Sequence, residues 1–437
     1  MKTNVAVKFE EKTHEGVQAA RMNQEQALRR SVMTCMLWES EFYEDGQEIG
    51  ARIAELTKGL PFEKVAAIAV EAREQMKLRH APLWLTVAIL KAKHQGRKVG
   101  DLIARICQRA DEPAELLSMY WKDQPQASLP KQLKVGLARA IAKFDEYQLA
   151  KYNRPGTVKL RDVLFLSHAK PTEERAALYK RIAENELATP DTWEVKLSGG
   201  ADKKETFLRL MAENNLGALA FLRNLRNMQE SGVDKAAVAE YGSRVDIKRV
   251  LPFRFIAAAR AVPQWEDVIE PIMLRALEDK PKLPGHTVLL VDVSGSMIHP
   301  LSAKSEMKRT DAAYGLGVLL RELCEQVTIC TFSNALAVIP PRRGFGLRDA
   351  MDLSQQHSGT YLAVSIAALH AKVAPNYTRI VVITDEQAAD GIETPRGKGY
   401  VINVASAKNG IGYGQWTHID GWSEAVIDYI RQSESAD

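Results

Sequence analysis

Three side chains that carry oxygen follow the apolar run 287–291 at the spacing D-x-S-x-S. They are Asp292, Ser294 and Ser296. One carboxylate and two hydroxyls are hard oxygen ligands, which suit Mg²⁺ when several waters complete its shell. Gly295 allows the loop to curl so that both hydroxyls can face one point. The segment therefore predicts a site for Mg²⁺ or another divalent cation.

The elements around these residues must form an open α/β sheet. An uninterrupted apolar run before Asp292 predicts a strand that is buried on both faces of a parallel sheet. Such sheets bind ligands in the crevice at the C-terminal ends of their strands. Thr360 precedes a helical pattern at 361–373, and Asp385 ends a second apolar run at 379–384. We expect both side chains to reach the same crevice.

The order of these parts resembles the metal-ion-dependent adhesion site of the von Willebrand factor A-like family. The resemblance implies that Asp292, Ser294 and Ser296 hold the metal. It also implies that Thr360 and Asp385 complete the shell, directly or through water. A vacant position would then take a carboxylate from a partner.

Two positions depart from that family's pattern. Ser358-Gly359 precedes Thr360 where many members have two glycines, and Glu386 follows Asp385 where many have glycine. Glu386 adds negative charge beside the predicted site. Three other readings are weaker. Turn chemistry does not explain three converging segments, and the serines do not form the G-x-S-x-G of a nucleophile elbow. No G-x-G-x-x-G follows the strand, so a dinucleotide site is also not indicated.

Composition places the chain among folded proteins with more than one domain. It has 437 residues, 46% of them hydrophobic and 26% charged, and single cores stop growing near about 250–300 residues. No apolar run reaches about 18 residues, and the N-terminus lacks the apolar centre of a secretory signal. The four cysteines form no C-x-x-C pair. We expect a cytoplasmic protein without a membrane partner.

The pattern of apolar residues divides the chain into two domains, at 1–280 and 285–437. The first is helical, with one helix every 15–20 residues, which is typical of an α-solenoid. A short alternation at Val5–Phe9 predicts an additional edge strand. The second domain alternates strands with helices and predicts a doubly wound sheet. Predicted helices include 130–150, 215–230, 252–279, 307–325, 360–373 and 423–433, and predicted strands are 287–293, 326–332, 335–339, 378–384, 400–405 and 417–420.

Positive charge is concentrated in one part of the helical region. Residues 131–181 hold 12 Lys and Arg against 5 Asp and Glu, a net charge of +7, whereas 281–437 hold 14 against 16, a net charge of −2. A local basic excess indicates an anionic partner at one surface. The alternative is a solvated helical face that carries lysines for solubility.

Three segments of the helical region resemble the TROVE module of the Ro autoantigen family. They are 159–171, 220–228 and 250–255. The order of the domains, helical module first and A-like domain second, also matches that family. The resemblance implies a ring of HEAT-like helical repeats closed by the von Willebrand factor A-like domain. It implies binding of small structured Y RNAs on a basic outer surface and of single-stranded 3′ ends of misfolded or precursor RNAs. An exoribonuclease is an implied partner in RNA maturation and decay.

Candidate RNA contacts come from the basic residues around the first segment. Lys and Arg neutralise phosphates, and Tyr and Arg planes stack on unpaired bases. His168 is carried over from the resemblance together with its basic neighbours, whereas Leu164, Phe165 and Leu166 are predicted to be core. The predicted RNA-binding residues are Lys134, Arg139, Lys151, Arg154, Lys159, Arg161, His168 and Lys170.

The sequence thus favours a non-enzymatic RNA-binding protein of RNA quality control with Mg²⁺ in its A-like domain. The alternative is a scaffold whose metal site captures an acidic protein partner without RNA. A hydrolase or nuclease is the weakest hypothesis, because no general base is recognisable beside Ser294 or Ser296.

Overall fold

A computed structural model describes most of the chain. Neither the predicted strand at Val5–Phe9 nor Arg154 lies within the described residues. The described residues are 12–13, 16–17, 19, 22–33, 46–76, 78–92, 97–153, 156–248, 250, 253–301, 307–405, 410–412, 414–420 and 425–435.

Short α-helices make up the first part of the structure. Their bounds are α1 Gln24–Met33, α2 Gly46–Lys58, α3 Phe62–Glu74, α4 His80–Lys91, α5 Arg97–Ile106, α6 Glu112–Trp121, α7 Lys131–Ile141, α8 Glu146–Tyr152, α9 Leu160–Ser167, α10 Ala176–Glu184, α11 Trp193–Ser198, α12 Lys203–Ala212, α13 Ala218–Arg223, α14 Leu225–Glu230, α15 Lys235–Arg244, α16 Phe253–Ala261 and α17 Glu266–Arg275. Neighbouring helices pack in overlapping pairs, such as α3 on α4 and α5 on α7. Helices that are close in sequence are therefore also packed together in space, as in a solenoid.

Three helices that the sequence predicted as single are divided. The predicted helix over 130–150 breaks at Asp145, whose carboxylate accepts a hydrogen bond from the backbone N–H of Gln148 at 2.7 Å. The Gln148 side chain accepts in return from the Asp145 N–H at 3.1 Å. This reciprocal cap starts a new helix, α8. The predicted helix over 252–279 breaks at the 3-10 turn Pro263–Trp265, because proline lacks an N–H. The predicted helix over 215–230 breaks at Asn224, which lies between α13 and α14.

The second part of the structure is a six-stranded sheet with order β3-β2-β1-β4-β5-β6. All neighbouring strands pair in parallel except β3, which pairs antiparallel with β2. Strand order reverses between β1 and β4, which makes their C-terminal ends the switch point of the sheet. The strands are β1 Leu283–Asp292, β2 Cys324–Phe332, β3 Leu336–Val338, β4 Arg379–Thr384, β5 Lys398–Asn403 and β6 Trp416–Asp420. All six predicted strands are thus present.

Alternate residues of each central strand face opposite sides of the sheet. Leu289 and Val291 belong to one buried cluster, whereas Val288 and Leu290 belong to another. The helices of this domain are α18 Arg309–Leu323, α19 Gly344–Asp352, α20 Leu362–Lys372 and α21 Ala425–Ser435. Buried residues of α18, α19 and α21 join the first cluster and those of α20 join the second, so helices cover both faces. This confirms the predicted doubly wound sheet. The sequence analysis missed α19.

Both ends of the helical module contact the α/β domain. At the N-terminal end, α1 packs on β6; at the C-terminal end, α16 packs on α18 and α17 on α19. One buried apolar cluster runs through all of these contacts and includes Leu28 of α1, Ile272 of α17 and Leu289 of β1. The succession of helices therefore closes on the sheet domain. The predicted fold class, a helical-repeat module closed by a doubly wound α/β domain, is confirmed.

Candidate metal centre and basic surface

The loop after β1 is fixed by hydrogen bonds to the Asp292 carboxylate. One oxygen accepts from the backbone N–H of Ser294 at 2.8 Å, and the other accepts from the Thr384 hydroxyl at 2.6 Å. Asp292 and Ser294 are fully buried, and the Ser294 and Ser296 hydroxyls lie 3.2 Å apart. The D-x-S-x-S spacing thus brings its three oxygen-bearing side chains together.

Thr360 lies in a segment that contacts this loop. The Gly295 N–H donates to the Ser358 carbonyl at 2.8 Å. A Cβ at Gly295 would stand 3.2 Å from the same oxygen, so glycine permits the close approach. The Thr360 carbonyl accepts from the Ala389 N–H at 2.8 Å, which ties Thr360 to the segment after β4. These bonds hold buried Thr360 between the loops that follow β1 and β4.

Asp385 follows β4 directly and is fully buried. Arg309, at the start of α18, is also buried and donates to the Asp385 carboxylate at 3.1 Å. Burial and the neighbouring Asp385 charge raise the pKa of Asp292 to about 7. Two buried carboxylates thus share the end of the sheet near one guanidinium, and a cation bound there would favour the ionised form of both.

The donor set fits a hard cation. Asp292, Asp385 and three hydroxyls supply oxygen only, which suits Mg²⁺ rather than a metal that prefers nitrogen or sulfur ligands. Within the described residues, no group of three or more His, Cys, Asp and Glu side chains is arranged to hold a metal. The crevice therefore offers two carboxylates and three hydroxyls as ligands.

Glu386 does not add its charge to the crevice. Its backbone has a left-handed φ of 60°. Its side chain makes an ion pair with Arg30 of α1 at 2.6 Å and contacts the His418 ring of β6 at 2.5 Å. Burial alone would raise the pKa of Glu386, but the charges of Arg30 and His418 more than offset it and hold the pKa at about 2. Glu386, which stands where many von Willebrand factor A-like proteins have glycine, thus connects the helical module to the sheet domain.

Gly410 and Gly412 pack directly against Arg30, Glu386 and His418, which we call the ion triad. A Cβ at Gly412 would stand 2.3 Å from a Glu386 carboxylate oxygen and 2.5 Å from the His418 ring. A Cβ at Gly410 would also overlap the Glu386 carboxylate and stand 2.7 Å from the Arg30 guanidinium. Only residues without a side chain fit there. Nothing in the sequence linked Arg30 to Glu386, which stand 356 positions apart.

The predicted RNA contacts lie on α7 and α8 and on or next to α9, with Arg154 outside the described part of the chain. Lys159, Arg161, His168 and Lys170 are exposed, and Lys134 and Lys151 are half-buried. The Lys151 ammonium lies 5.8 Å from the ring centre of Tyr147 and 5.9 Å from that of Tyr152. Arg139 forms an ion pair with Asp101, so its charge is already partly compensated.

One face of α9 combines charge with an exposed aromatic ring. Arg161 and Phe165 are spaced four residues apart, which places them on one side of the helix, and the exposed His168 follows at its C-terminal cap. Phe165 is 56% exposed, so its prediction as a core residue was wrong. The opposite side, with Leu160, Val163 and Leu164, supplies the buried contacts. His168 ends the helix with a left-handed φ of 53°. The four-residue spacing between Phe165 and the charged Arg161 is the sequence signal that could have revealed the exposure of Phe165.

Comparison with known proteins finds a family model that matches part of the helical region. Residues 180–278, from α10 to the end of α17, match the model of the TROVE domain. The crystal structure of the Ro (RSR) protein of Deinococcus radiodurans matches this fold with a TM-score of 0.60 at 17% sequence identity, covering 93% of this chain and 98% of that chain. No curated protein sequence matches the chain significantly.

The TROVE match contains two of the three segments singled out in the sequence, 220–228 and 250–255, and begins after the third, 159–171. Both comparisons confirm the resemblance that the sequence motifs indicated. Among the helices that the structure describes, none is long and apolar enough to cross a bilayer.

Proposed function

We propose that this chain binds RNA, because residues 180–278 match the model of the TROVE domain and the fold is similar to that of a bacterial Ro protein. The proposed ligands are small structured, Y-like RNAs on the basic surface and single-stranded ends of misfolded or precursor RNAs. The proposed role is in cytoplasmic RNA quality control, maturation or decay, without catalysis by this chain and alongside an exoribonuclease. The observation that carries the proposal is the α9 face of Arg161 and Phe165, with His168 at its C-terminal cap, flanked by Lys151, Lys159 and Lys170.

The chemistry of this face suits RNA better than it suits a protein partner. The lysines and arginines can neutralise phosphates whatever the base sequence. Phe165 offers a ring on which an unpaired base can stack, and the adjacent Arg161 provides a second planar group. A face that served only for solubility would not need an aromatic ring that is more than half exposed.

Replacing Phe165 tests this proposal. We expect Phe165→Ala to weaken binding of a hairpin RNA with a single-stranded tail by about 5- to 150-fold, because base–aromatic stacking contributes about 1–3 kcal/mol per base. Phe165→Trp should retain most of the affinity. Filter binding at fixed salt measures the change, with Leu353→Ala as the control, since Leu353 is an exposed apolar residue of the α/β domain. Equal affinity of the wild type and Phe165→Ala would contradict a stacking role.

We also propose that Mg²⁺, or another divalent cation, binds at the ends of β1 and β4. Asp292, Ser294 and Ser296 would hold it, with Thr360 and Asp385 completing the shell directly or through water. The buried pair of carboxylates and the paired serine hydroxyls support this assignment. A bound cation would supply positive charge that can attract a carboxylate of an acidic protein partner.

Removal of one hydroxyl tests the metal site. We expect the wild-type protein to bind one Mn²⁺ per chain by electron paramagnetic resonance and to melt at a higher temperature in Mg²⁺, because a ligand that binds only the folded state stabilises it. Ser296→Ala should bind Mn²⁺ at least about tenfold more weakly, since it loses one ligand. Ser365→Ala removes a hydroxyl of α20 that donates to the Tyr361 carbonyl and serves as the control. Unchanged Mn²⁺ affinity in Ser296→Ala would rule out the proposed ligand set.

A cytoplasmic location is supported by the thiols. Cys107, Cys324 and Cys330 are buried and free. Reduced, unpaired cysteines are typical of a reducing compartment.

A further inference from the structure

A cavity of about 950 Å³ opens between α8, the start of α9 and the segment that joins α10 to α11. It lies outside the crevice at the end of the sheet. Its volume falls within the range of about 300–1,000 Å³ that is usual for small-ligand sites. The residues that line it come from α8, the residue before α9, the segment that joins α10 to α11, and α11 itself.

The cavity exists because the helical packing changes partners at this point. α10 packs against α9, whereas α11 packs against α12. Asn185 ends α10 in the left-handed region with a φ of 62°, and the Thr192 hydroxyl caps α11 by accepting from the Val195 N–H at 3.3 Å. The connecting segment between these two caps forms one wall of the cavity. The cavity therefore lies between two groups of packed helices, and the two caps fix the backbone on either side of the connecting segment.

The lining combines three kinds of group. Lys151 and Lys159 supply two positive charges, against one carboxylate, Glu194. Two side-chain amides, Asn153 and Asn185, lie together, with the Asn153 Nδ2 3.4 Å from the Asn185 Oδ1. Apolar wall is supplied by Leu187, Ala188, Pro190 and Val195. Cations can pair with a phosphate, and amides can form hydrogen bonds with the edge of a base. An apolar wall can pack against the face of a base or a sugar.

We propose that this cavity binds a nucleoside monophosphate unit. Near neutral pH a phosphate monoester carries about two negative charges, which matches the two lysines, whereas a phosphodiester within a chain carries one. The cavity is far larger than a phosphate alone requires, and its amides and apolar wall provide for the nucleoside. Such a unit can come from two sources: a free nucleotide, or the 5′-phosphorylated end of an RNA. The second source rests on the proposed RNA binding, and the first does not.

The position of Lys159 connects the cavity to the basic face. Lys159 lines the cavity and immediately precedes α9, whose outer face carries Arg161 and Phe165 and whose C-terminal cap is His168. An RNA whose first nucleotide occupied the cavity could therefore continue along α9, where its next phosphates would still lie near basic side chains. This placement favours the RNA end over the free nucleotide as the source.

Filling the cavity tests the proposal without touching its lysines. Ala188 is exposed on the cavity wall, so Ala188→Trp puts an indole into the space; Ala201→Trp, at an exposed site after α11, is the control. Calorimetric titration uses AMP and adenosine with the full-length protein. We expect AMP to bind the wild type at least about tenfold more tightly than adenosine, because hydrogen bonds to charged groups are stronger than those to neutral groups. Ala188→Trp should lose AMP binding and Ala201→Trp should keep it.

A second arm distinguishes the two sources. A single-stranded oligoribonucleotide with a 5′-monophosphate is compared with the same oligonucleotide ending in a 5′-hydroxyl. A preference for the phosphate in the wild type that Ala188→Trp abolishes identifies the RNA end. AMP binding without such a preference identifies the free nucleotide.

If neither oligonucleotide binds, the proposed RNA binding fails, while AMP binding that Ala188→Trp removes still supports the cavity site. The cavity proposal is overturned if AMP does not bind the wild type, or if Ala188→Trp binds AMP as well as the wild type does.

Discussion

Reversing three charges on the basic surface should reduce RNA affinity by about 100-fold or more. The triple variant Lys159→Glu, Arg161→Glu and Lys170→Glu replaces three exposed cations with anions. Each lost phosphate contact removes a charge-assisted hydrogen bond, and each new carboxylate repels the backbone. Filter binding of a small hairpin RNA at about 100 mM salt measures the loss, because counterion release still favours binding at that ionic strength.

The triple variant should still fold. Lys159 and Arg161 stand at the start of α9, where a carboxylate is favoured by the helix dipole. Lys170 is exposed beyond the end of the helix. The matched control reverses three exposed cations of the α/β domain, Lys282, Arg342 and Lys372, and changes net charge equally. If RNA affinity falls equally in both triple variants, the loss is caused by the change in net charge, and the assigned RNA-binding surface is wrong.

Breaking the ion triad should give the largest loss of stability. Arg30→Met leaves Glu386 buried beside His418 with one counter-charge removed. Removing one partner of a buried ion pair costs about 3–5 kcal/mol. We expect the free energy of unfolding, measured by urea denaturation of the first transition, to fall by that amount. Adding Glu386→Gln should recover part of the loss, because the unpaired buried charge is then gone.

An exposed ion pair provides the control for this effect. Arg105 and Glu74 pair at 2.6 Å on the surface of the module. Such pairs contribute about 0–1 kcal/mol, so Arg105→Met should change stability little. A loss in Arg30→Met no larger than that in Arg105→Met would show that the triad does not hold α1 to the sheet domain.

The sheet domain could be predicted almost completely from the sequence. Its strands are continuous apolar runs that end in polar residues, and this pattern is local. The same pattern identified the residues gathered at the ends of β1 and β4. The helix α19 could not be predicted in this way, because it begins at Gly344 with a φ of 53° and its first turn is held by the Glu270 carboxylate, which accepts from the Phe345 N–H at 2.7 Å. That contact comes from the helical module and has no local signal.

Helical periodicity predicted the helical module but not its breaks or its surfaces. Asp145 starts a new helix through its cap, Asn224 lies at the break between α13 and α14, and Pro263 lacks a backbone donor. The spacing of apolar residues carries no information about these effects. Phe165 was assigned to the core by its apolar character, although α9 has only one buried face. The pairing of Arg30 with Glu386 depends on the closure of the module onto the sheet, which a single sequence does not encode in any local pattern.

The salt dependence of RNA binding tests the central claim most directly. A plot of the logarithm of the association constant against the logarithm of salt concentration should have a slope of about −3.5 to −4.5 for the wild type, if five cations each neutralise one phosphate at about 0.7–0.9 per contact. Those five are Lys134, Lys151, Lys159, Arg161 and Lys170. The Lys159, Arg161 and Lys170 triple variant should lower the magnitude of the slope by about 2–3. A wild-type slope near zero, or an unchanged slope in the variant, would contradict RNA binding through this surface.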